Sequence, residues 1–296
     1  MSIHQLFPSF TVEAAMVEAI GKLKAAGVEN AVGDARLLLA YALQASKEAL
    51  IAEPGRVLNA RELHNFNIAL FRRESREPMS HILGKREFYG IEFDISPDVL
   101  DPRPDSETLI EAVLLQMPDK NEFIRILDLG SGSGCLVLSL LTQYPKAYGV
   151  GVDASLKALK QFRKNIDKLG LGERAQGVRS NWLADLPQTW LQSFDVIVSN
   201  PPYIPSHDIA SLEPEVKDYE PLLALDGGED GFDCYKDILA EAHLYLKPEG
   251  LLVFECGIGQ AENLKEMMEA MGYENIFIRK DLAGIERVVG GRFGGL

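Results

Sequence analysis

Short apolar runs alternate with helical patterns along the second half of the chain, and this alternation constrains the fold more than any other feature. Four runs rich in Val, Ile and Leu occupy residues 124–129, 147–153, 194–200 and 250–256. Helical spacing separates them, most clearly over residues 156–169, where Gly170 ends the helix. Apolar strands linked by crossover helices are typical of a parallel sheet that is buried on both faces. The pattern predicts an α/β fold.

The first third of the chain predicts a different architecture. Apolar residues recur at helical spacing from about Phe10 to Ile82, which indicates a domain of four or five short helices. Gly27 and Gly33 are interpreted as helix stops within this domain. Aromatic and β-branched residues surround a glycine at residues 87–95, and this pattern predicts a β-hairpin.

The end of the chain predicts the edge of the sheet. Residues 276–278 and 286–289 are two strand patterns without a long helix between them, so we expect them to be antiparallel. The chain is therefore divided into a helical domain, a hairpin linker and an α/β domain, over residues 1–84, 85–100 and 101–296.

Composition and charge exclude several classes of protein. No apolar run approaches the ~18 residues that span a bilayer, and the N-terminus lacks a signal-peptide pattern, so we expect a cytoplasmic protein without a membrane partner. The net charge of −14 opposes direct nucleic-acid binding and favours a basic protein as partner. Cys135, Cys234 and Cys256 are scattered without a C-x-x-C pair, so neither a disulfide framework nor a zinc site is predicted. No other metal site is predicted.

A glycine-rich turn follows the first strand of the α/β domain and leads directly into an apolar helix. Such a turn lets the backbone approach a ligand at a helix N-terminus, although a coincidental turn is the simpler alternative. A dinucleotide site requires G-x-G-x-x-G, whereas the chain reads G-x-G-x-G from Gly130 and has Cys135 at the position of the last glycine. Asp153 follows about 20 residues later, where a carboxylate can accept both ribose hydroxyls or, alternatively, begin a helix. The spacing favours S-adenosylmethionine over NAD.

The most specific motif is Asn200-Pro201-Pro202-Tyr203, at the carboxyl end of the third apolar run. Open α/β sheets bind ligands at this edge, whereas a proline-rich surface turn is the alternative reading. The two prolines restrict the backbone and remove donors, leaving the Asn200 side chain and the carbonyl that follows it as acceptors. A planar NH₂ group would satisfy both.

These acceptors suit a reaction at an amide nitrogen. That nitrogen is a poor nucleophile because its lone pair is delocalised, so the site has to orient it, and two acceptors can hold its two hydrogens. The lone pair then faces a sulfonium methyl group, while Tyr203 lies against the flat amide. Orientation of this kind can supply up to ~7–11 kcal/mol of the barrier. Asn200, Pro201 and Tyr203 are the predicted catalytic residues, and Pro202 joins them in binding the substrate.

The segment after the motif is acidic. Residues 205–233 carry nine carboxylates against the single basic residue Lys217. A loop of this composition would present a negative face to a basic polypeptide, although a solvated acidic loop is an equally simple interpretation.

The chain resembles the peptide chain release factor glutamine methyltransferases, the PrmC/HemK family. The resemblance extends over residues 10–293 and is carried by Asp101-Pro102-Arg103-Pro104-Asp105-Ser106-Glu107, Asp128 to Gly134, Asn200 to Tyr203, Tyr219-Glu220-Pro221 and residues 227–231. It implies a helical bundle for substrate recognition, joined by a β-hairpin to a seven-stranded, Rossmann-like class I methyltransferase sheet. It also implies N5 methylation of the glutamine in the Gly-Gly-Gln loop of class I release factors.

The resemblance also implies roles for individual residues. The cofactor loop would comprise Gly130, Ser131, Gly132, Ser133 and Gly134. Asp153 would bind the ribose of S-adenosylmethionine, Trp182 would lie beside its adenine, and Asn200 would serve both cofactor and substrate. Ser106 replaces a Thr of the family, and Asn181 stands where the family commonly has Asp.

Three rival functions remain open at this point. A ribosomal-protein glutamine methyltransferase shares the Asn-Pro-Pro-Tyr chemistry but tends to lack the continuation found at residues 103–107. An N6-adenine DNA methyltransferase needs a basic channel or a recognition domain, which the net charge disfavours. A binding module that keeps the cofactor as a structural support would leave Asn200 without a task.

Overall fold

The computed structural model describes residues 10–294, which divide into two compact units. One unit contains the residues up to Gly84 together with Glu213–Tyr219. The other contains Lys85–Leu212 and the residues from Glu220 onward. The mixed α/β architecture and the N-terminal helical region are as predicted.

Five helices form the first part of the helical unit. They are α1 (Val12–Ala25), α2 (Ala31–Leu43), α3 (Lys47–Ala52), α4 (Ala60–Glu74) and α5 (Met79–Leu83). Their apolar faces meet in one core, whose largest fully buried side chains include Leu23, Leu38, Leu39, Phe66 and Leu70. The Asn59 side chain and the Glu62 side chain cap the start of α4 reciprocally, each accepting the other's backbone N–H at 2.9 Å.

The interpretation of Gly33 as a helix stop is wrong. Gly33 lies in the first turn of α2, where its N–H donates to Oδ1 of the N-terminal cap Asn30 at 3.2 Å. A methyl group at Gly33 would lie only 2.5 Å from Asn30 Nδ2. The glycine therefore leaves room for the cap at the beginning of this helix.

Residues Glu213–Tyr219 belong to the helical unit although they lie far along the chain. They include the short helix α9 (Pro214–Lys217). This helix is attached to α4 by ion pairs. Arg73 is buried and contacts both Asp34, at 2.7 Å, and Glu215, at 3.0 Å. Tyr219 donates its hydroxyl hydrogen to the Ser75 carbonyl at 2.5 Å. The predicted helical domain, residues 1–84, does not include this segment.

The second unit begins with a β-hairpin and contains the large sheet. The hairpin pairs β1 (Lys85–Phe88) with β2 (Ile91–Asp94). The sheet consists of β3 (Arg125–Leu129), β4 (Tyr148–Asp153), β5 (Ala175–Arg179), β6 (Phe194–Ser199), β7 (Leu246–Glu255), β8 (Tyr273–Lys280) and β9 (Glu286–Phe293). Its order is β5-β4-β3-β6-β7-β9-β8. The first five are parallel and β9 is antiparallel to both neighbours, which confirms the seven-stranded sheet and its antiparallel edge.

Helices cover both faces of this sheet. They are α6 (Glu107–Gln116), α7 (Cys135–Gln143), α8 (Leu156–Leu169), α10 (Asp233–Tyr245) and α11 (Ala261–Ala270). Consecutive residues of the central strands point to opposite cores, as Ile126 and Leu127 do in β3. After β3, the chain adds β4 and β5 on one side of this strand and then returns to add β6 on its other side. This change of direction opens a crevice at the carboxyl ends of β3 and β6. No helix within residues 10–294 combines the length and the hydropathy that a membrane span requires.

Candidate active site

A cavity of about 530 Å³ lies at the carboxyl ends of β3, β4 and β6, within the second unit. This volume falls in the range typical of small-molecule sites. Six of the residues predicted from the sequence line it: Gly130, Gly132, Asp153, Trp182, Asn200 and Pro202. The cavity thus brings together residues from the carboxyl ends of four strands, β3, β4, β5 and β6.

The remaining predicted residues stand behind these. Ser131 and Ser133 are buried, and Gly134, Pro201 and Tyr203 do not belong to the lining residues of the cavity. The two serines therefore shape the turn, while the neighbouring glycines form the surface. Pro201 is buried directly between two lining residues, Asn200 and Pro202.

The glycine turn is held by the next strand. The N–H groups of Gly130 and Ser131 both donate to the Val152 carbonyl at 2.9 Å. Gly130 has a φ of +76°, and a methyl group there would lie 3.3 Å from the Trp182 ring. Glycine at this position thus serves both the left-handed backbone and the close approach of the indole.

Asp153 holds the glycine turn and the start of α8 together. Its Oδ2 accepts the Gly132 N–H at 2.9 Å, and its Oδ1 accepts the N–H of Ser155, the cap of α8, at 2.8 Å. Each carboxylate oxygen keeps a further lone pair, so the group can also accept ribose hydroxyls from the cavity. Burial raises the pKa of Asp153, because it disfavours the charged form.

Asp153→Ala is expected to weaken S-adenosylmethionine binding about 10-fold or more, because hydrogen bonds to a charged group contribute roughly 1.5–3 kcal/mol. Isothermal titration measures the change. Asp167→Ala removes an equal charge from an exposed position of α8 and should leave the affinity as it is. Unchanged affinity in Asp153→Ala would remove this residue from the ribose site.

The Asn200-Pro201-Pro202-Tyr203 segment is held from two sides. The Tyr203 carbonyl accepts a hydrogen bond from Gln260 Nε2 at 3.0 Å. Ile204 pairs with the loop before α10, donating to the Leu225 carbonyl at 3.1 Å and accepting the Gly227 N–H at 2.9 Å. Burial raises the pKa of the Tyr203 phenol, so this side chain is neutral at physiological pH.

The Arg103 to Glu107 segment connects distant parts of the second unit. Arg103 contacts the buried Glu220 at 2.6 Å, and Glu107 accepts the N–H of Tyr89 in the hairpin at 2.9 Å. Asn200 Nδ2 donates to Ser106 Oγ at 3.3 Å. The segment thus supports the site from behind the cavity wall.

Three buried carboxylates near the site, two of them in motifs that carry the family resemblance, were assigned no role from the sequence. Burial raises the pKa of Asp128, Glu220 and Glu255 to about 7 in each case. Asp128 and Glu255 share one signal in the sequence, because each is a carboxylate at the carboxyl end of an apolar strand. Asp128 Oδ2 accepts the Val137 N–H at 3.3 Å and so ties the end of β3 to α7.

The residues around the cavity fit S-adenosylmethionine. Asp153 offers acceptors for hydroxyl groups, the Trp182 indole offers a flat apolar surface, and Asn181 adds an amide that can pair with an adenine. Within residues 10–294, no cluster of His, Cys, Asp or Glu side chains has the arrangement of a metal site.

Two family models match the chain. Residues 14–84 match the PrmC N-terminal domain, and residues 105–212 match the Methyltransferase small domain. The catalytic domain of hMettl16, solved with MAT2A 3'UTR hairpin 6, shares the fold of the chain with a TM-score of 0.57. The match has 16% identity and covers 81% of this chain and 85% of that one.

Curated relatives match almost the whole length. The release factor glutamine methyltransferase of Rhodospirillum rubrum is 44% identical over 266 residues, which make up 90% of this chain and 80% of that protein. The protein of the same name from Caulobacter vibrioides is 40% identical, and the match covers 95% of this chain and 96% of that protein. The chain therefore belongs to the release factor glutamine methyltransferase family, whose members are S-adenosylmethionine-dependent protein-glutamine methyltransferases.

Proposed function

We propose that this enzyme methylates the N5 amide nitrogen of the glutamine in the Gly-Gly-Gln loop of class I peptide chain release factors. The observation that carries the proposal is the place of Asn200. Asn200 lines the cavity together with Gly130 and Gly132 of the glycine turn, at the carboxyl end of the central strand β6. An acceptor at this place can hold a substrate amide beside the bound cofactor.

The residues of the chain act by orientation. The Asn200 Oδ1 and the Pro201 carbonyl accept the two amide hydrogens of the glutamine, so that the nitrogen lone pair faces the cavity. Tyr203 remains neutral and packs against the amide plane, while Pro202 lines the entrance. Gly130, Gly132, Asp153 and Trp182 line the place of the cofactor, and Ser131, Ser133 and Gly134 give the turn its shape behind them. S-adenosylmethionine supplies the electrophilic methyl group when it is bound.

The choice of substrate rests on the relatives and on charge. Both relatives described above carry the name of a release factor enzyme, and residues 103–107 follow the pattern of that family. The net charge of −14 favours a protein over a nucleic acid as substrate. We place the reaction in the cytoplasm, where translation terminates.

Methyl transfer to competing substrates tests the proposal. Purified enzyme and labelled S-adenosylmethionine are incubated with a class I release factor, its Gly-Gly-Ala variant, ribosomal proteins or adenine-containing DNA. We expect label on the wild-type release factor and none on the other three. Label on a ribosomal protein alone would mean that the enzyme methylates glutamine in that protein and not in release factors. Label on DNA alone would refute glutamine methylation.

A further inference from the structure

Glu255 lies next to Asn200 across the two central strands. Ser199 of β6 pairs with Phe254 of β7 in a parallel register, so Asn200 and Glu255 occupy the next corresponding positions at the carboxyl edge. Corresponding positions of neighbouring strands project to the same face of a sheet. Glu255 is only 2% exposed, so its carboxyl group is shielded from bulk water.

Ser106 connects the two side chains. Asn200 Nδ2 donates to Ser106 Oγ at 3.3 Å, and Ser106 is also only 2% exposed. A hydroxyl has one hydrogen, which Ser106 is free to donate while its oxygen accepts from Asn200. The Ser106 hydroxyl and the Asn200 amide both stabilise the ionised form of Glu255. The hydrogen-bond donors therefore point in one direction, from Asn200 to Ser106 and from Ser106 toward the Glu255 carboxylate.

The charges around Glu255 leave it without a dedicated cation. The Arg287 guanidinium favours the charged form of Glu255 and the Asp105 carboxylate opposes it, but Arg287 forms its ion pairs with Asp105 at 3.1 Å and with Asp281 at 3.0 Å. Glu255 Oε2 has no hydrogen-bond partner within residues 10–294. The other titratable groups that face Glu255 are Tyr203, Tyr235, Cys135 and Cys256. None of these can supply a compensating positive charge.

The two ends of an asparagine amide have nearly the same shape, so only hydrogen bonding decides which end faces the cavity. An ionised carboxylate only accepts hydrogen bonds, and it therefore attracts the NH₂ end and repels the carbonyl. We propose that Glu255 is a positioning residue that, together with Ser106, holds the Asn200 NH₂ inward and so turns its Oδ1 toward the substrate. The inference rests on the proposed role of Asn200 as an acceptor for the glutamine amide.

The orientation of the Asn200 amide should depend on pH through Glu255. Burial raises the pKa of Glu255 to about 7, which means that the carboxyl group is ionised above this pH and protonated below it. A protonated carboxyl group can donate to Asn200 Oδ1, and the side-chain amide can then rotate so that its two ends exchange places. The turnover number should therefore rise with pH through this range, as Oδ1 becomes available to the substrate.

Glu255→Gln tests the proposal, because glutamine has the same shape but cannot ionise. Its turnover number should fall about 10- to 100-fold at pH 8, as expected for a misplaced reacting group, while the affinity for S-adenosylmethionine stays within about 2-fold. The rise of turnover between pH 6 and pH 8 should also disappear. Ser106→Thr keeps a hydroxyl and should retain most of the activity that Ser106→Ala loses.

A second readout does not depend on the substrate. The side-chain amide signals of Asn200 in a ¹⁵N-labelled sample, assigned by their absence in Asn200→Ala, should titrate near pH 7 in the wild-type protein and should not titrate in Glu255→Gln. Glu220→Gln removes another buried carboxyl group of similar pKa and should leave the Asn200 titration in place. Identical Asn200 signals in the wild-type protein and in Glu255→Gln would overturn the inference, even if the release factor proves not to be the substrate. A release factor that accepts no methyl group from the wild-type enzyme would instead refute the proposed function.

Discussion

Asn200→Ala is expected to lower the turnover number by about 100-fold or more, while S-adenosylmethionine binding is mostly retained. The magnitude is that of removing one oriented polar group from a reaction centre. Asn200 contributes one of the two acceptors that we assign to the glutamine amide, whereas the variant keeps Asp153, Trp182 and the glycine turn, which we assign to the cofactor. Single-turnover kinetics with a saturating release factor would measure the loss in the chemical step.

Two variants make this result specific. Asn121→Ala makes the same chemical change at an exposed turn and should have wild-type kinetics. Asn200→Asp keeps oxygen acceptors but places a second carboxylate beside the buried Glu255, so it should also be slow because repulsion opposes the ionisation of both groups. Wild-type turnover in Asn200→Ala would eliminate the assigned role.

Gly134→Ala is expected to destabilise the second unit, which contains the large sheet, by about 2–5 kcal/mol. Gly134 caps α7 with a φ of +82°, and a left-handed residue with a Cβ costs roughly 1–2 kcal/mol. A methyl group at this position would also lie 2.1 Å from Cδ2 of the fully buried Phe162, and overpacking of a core costs about 1–3 kcal/mol. Urea denaturation followed by the intrinsic fluorescence of the two tryptophans would measure the free energy of unfolding.

Gly170→Ala separates the two causes. Gly170 has a φ of +67°, but a methyl group there would meet no atom within 4 Å, so only the backbone cost of roughly 1–2 kcal/mol applies. Phe162→Leu combined with Gly134→Ala should recover part of the loss, since the two side chains compete for one space. Equal losses in Gly134→Ala and Gly170→Ala would show that the contact with Phe162 is unimportant.

The sequence predicts most of the sheet because its central strands are continuous apolar runs. The sequence pattern does not predict the strand β5, because Ala175–Arg179 lies at the edge of the sheet, alternates in burial and carries few apolar residues. Only the family resemblance implied a seventh strand. The prediction for Gly33 was wrong for a different reason. A glycine can make room for a cap at the start of a helix as well as end a helix.

The candidate site was predictable to the extent that its residues lie in short motifs. The glycine turn, Asp153 and Asn200 each follow a strand, and the carboxyl ends of parallel strands meet at one edge. Partners that lie far apart along the chain could not be predicted in this way. Ser106 and Asn200 are 94 residues apart, and Arg73 and Glu215 are 142 residues apart. Their contacts depend on the complete fold rather than on any local pattern.

Tandem mass spectrometry of a release factor treated with the enzyme and S-adenosylmethionine tests the central claim most directly. The fragment ions of the Gly-Gly-Gln peptide locate the added mass on a single residue, and acid hydrolysis to glutamic acid and methylamine identifies the N5 position. We expect one methyl group on the glutamine with wild-type enzyme and almost none with Asn200→Ala. A methyl group on any other residue or atom of the release factor would contradict the proposed function. A glutamine that stays unmodified with excess enzyme and S-adenosylmethionine would contradict it as well.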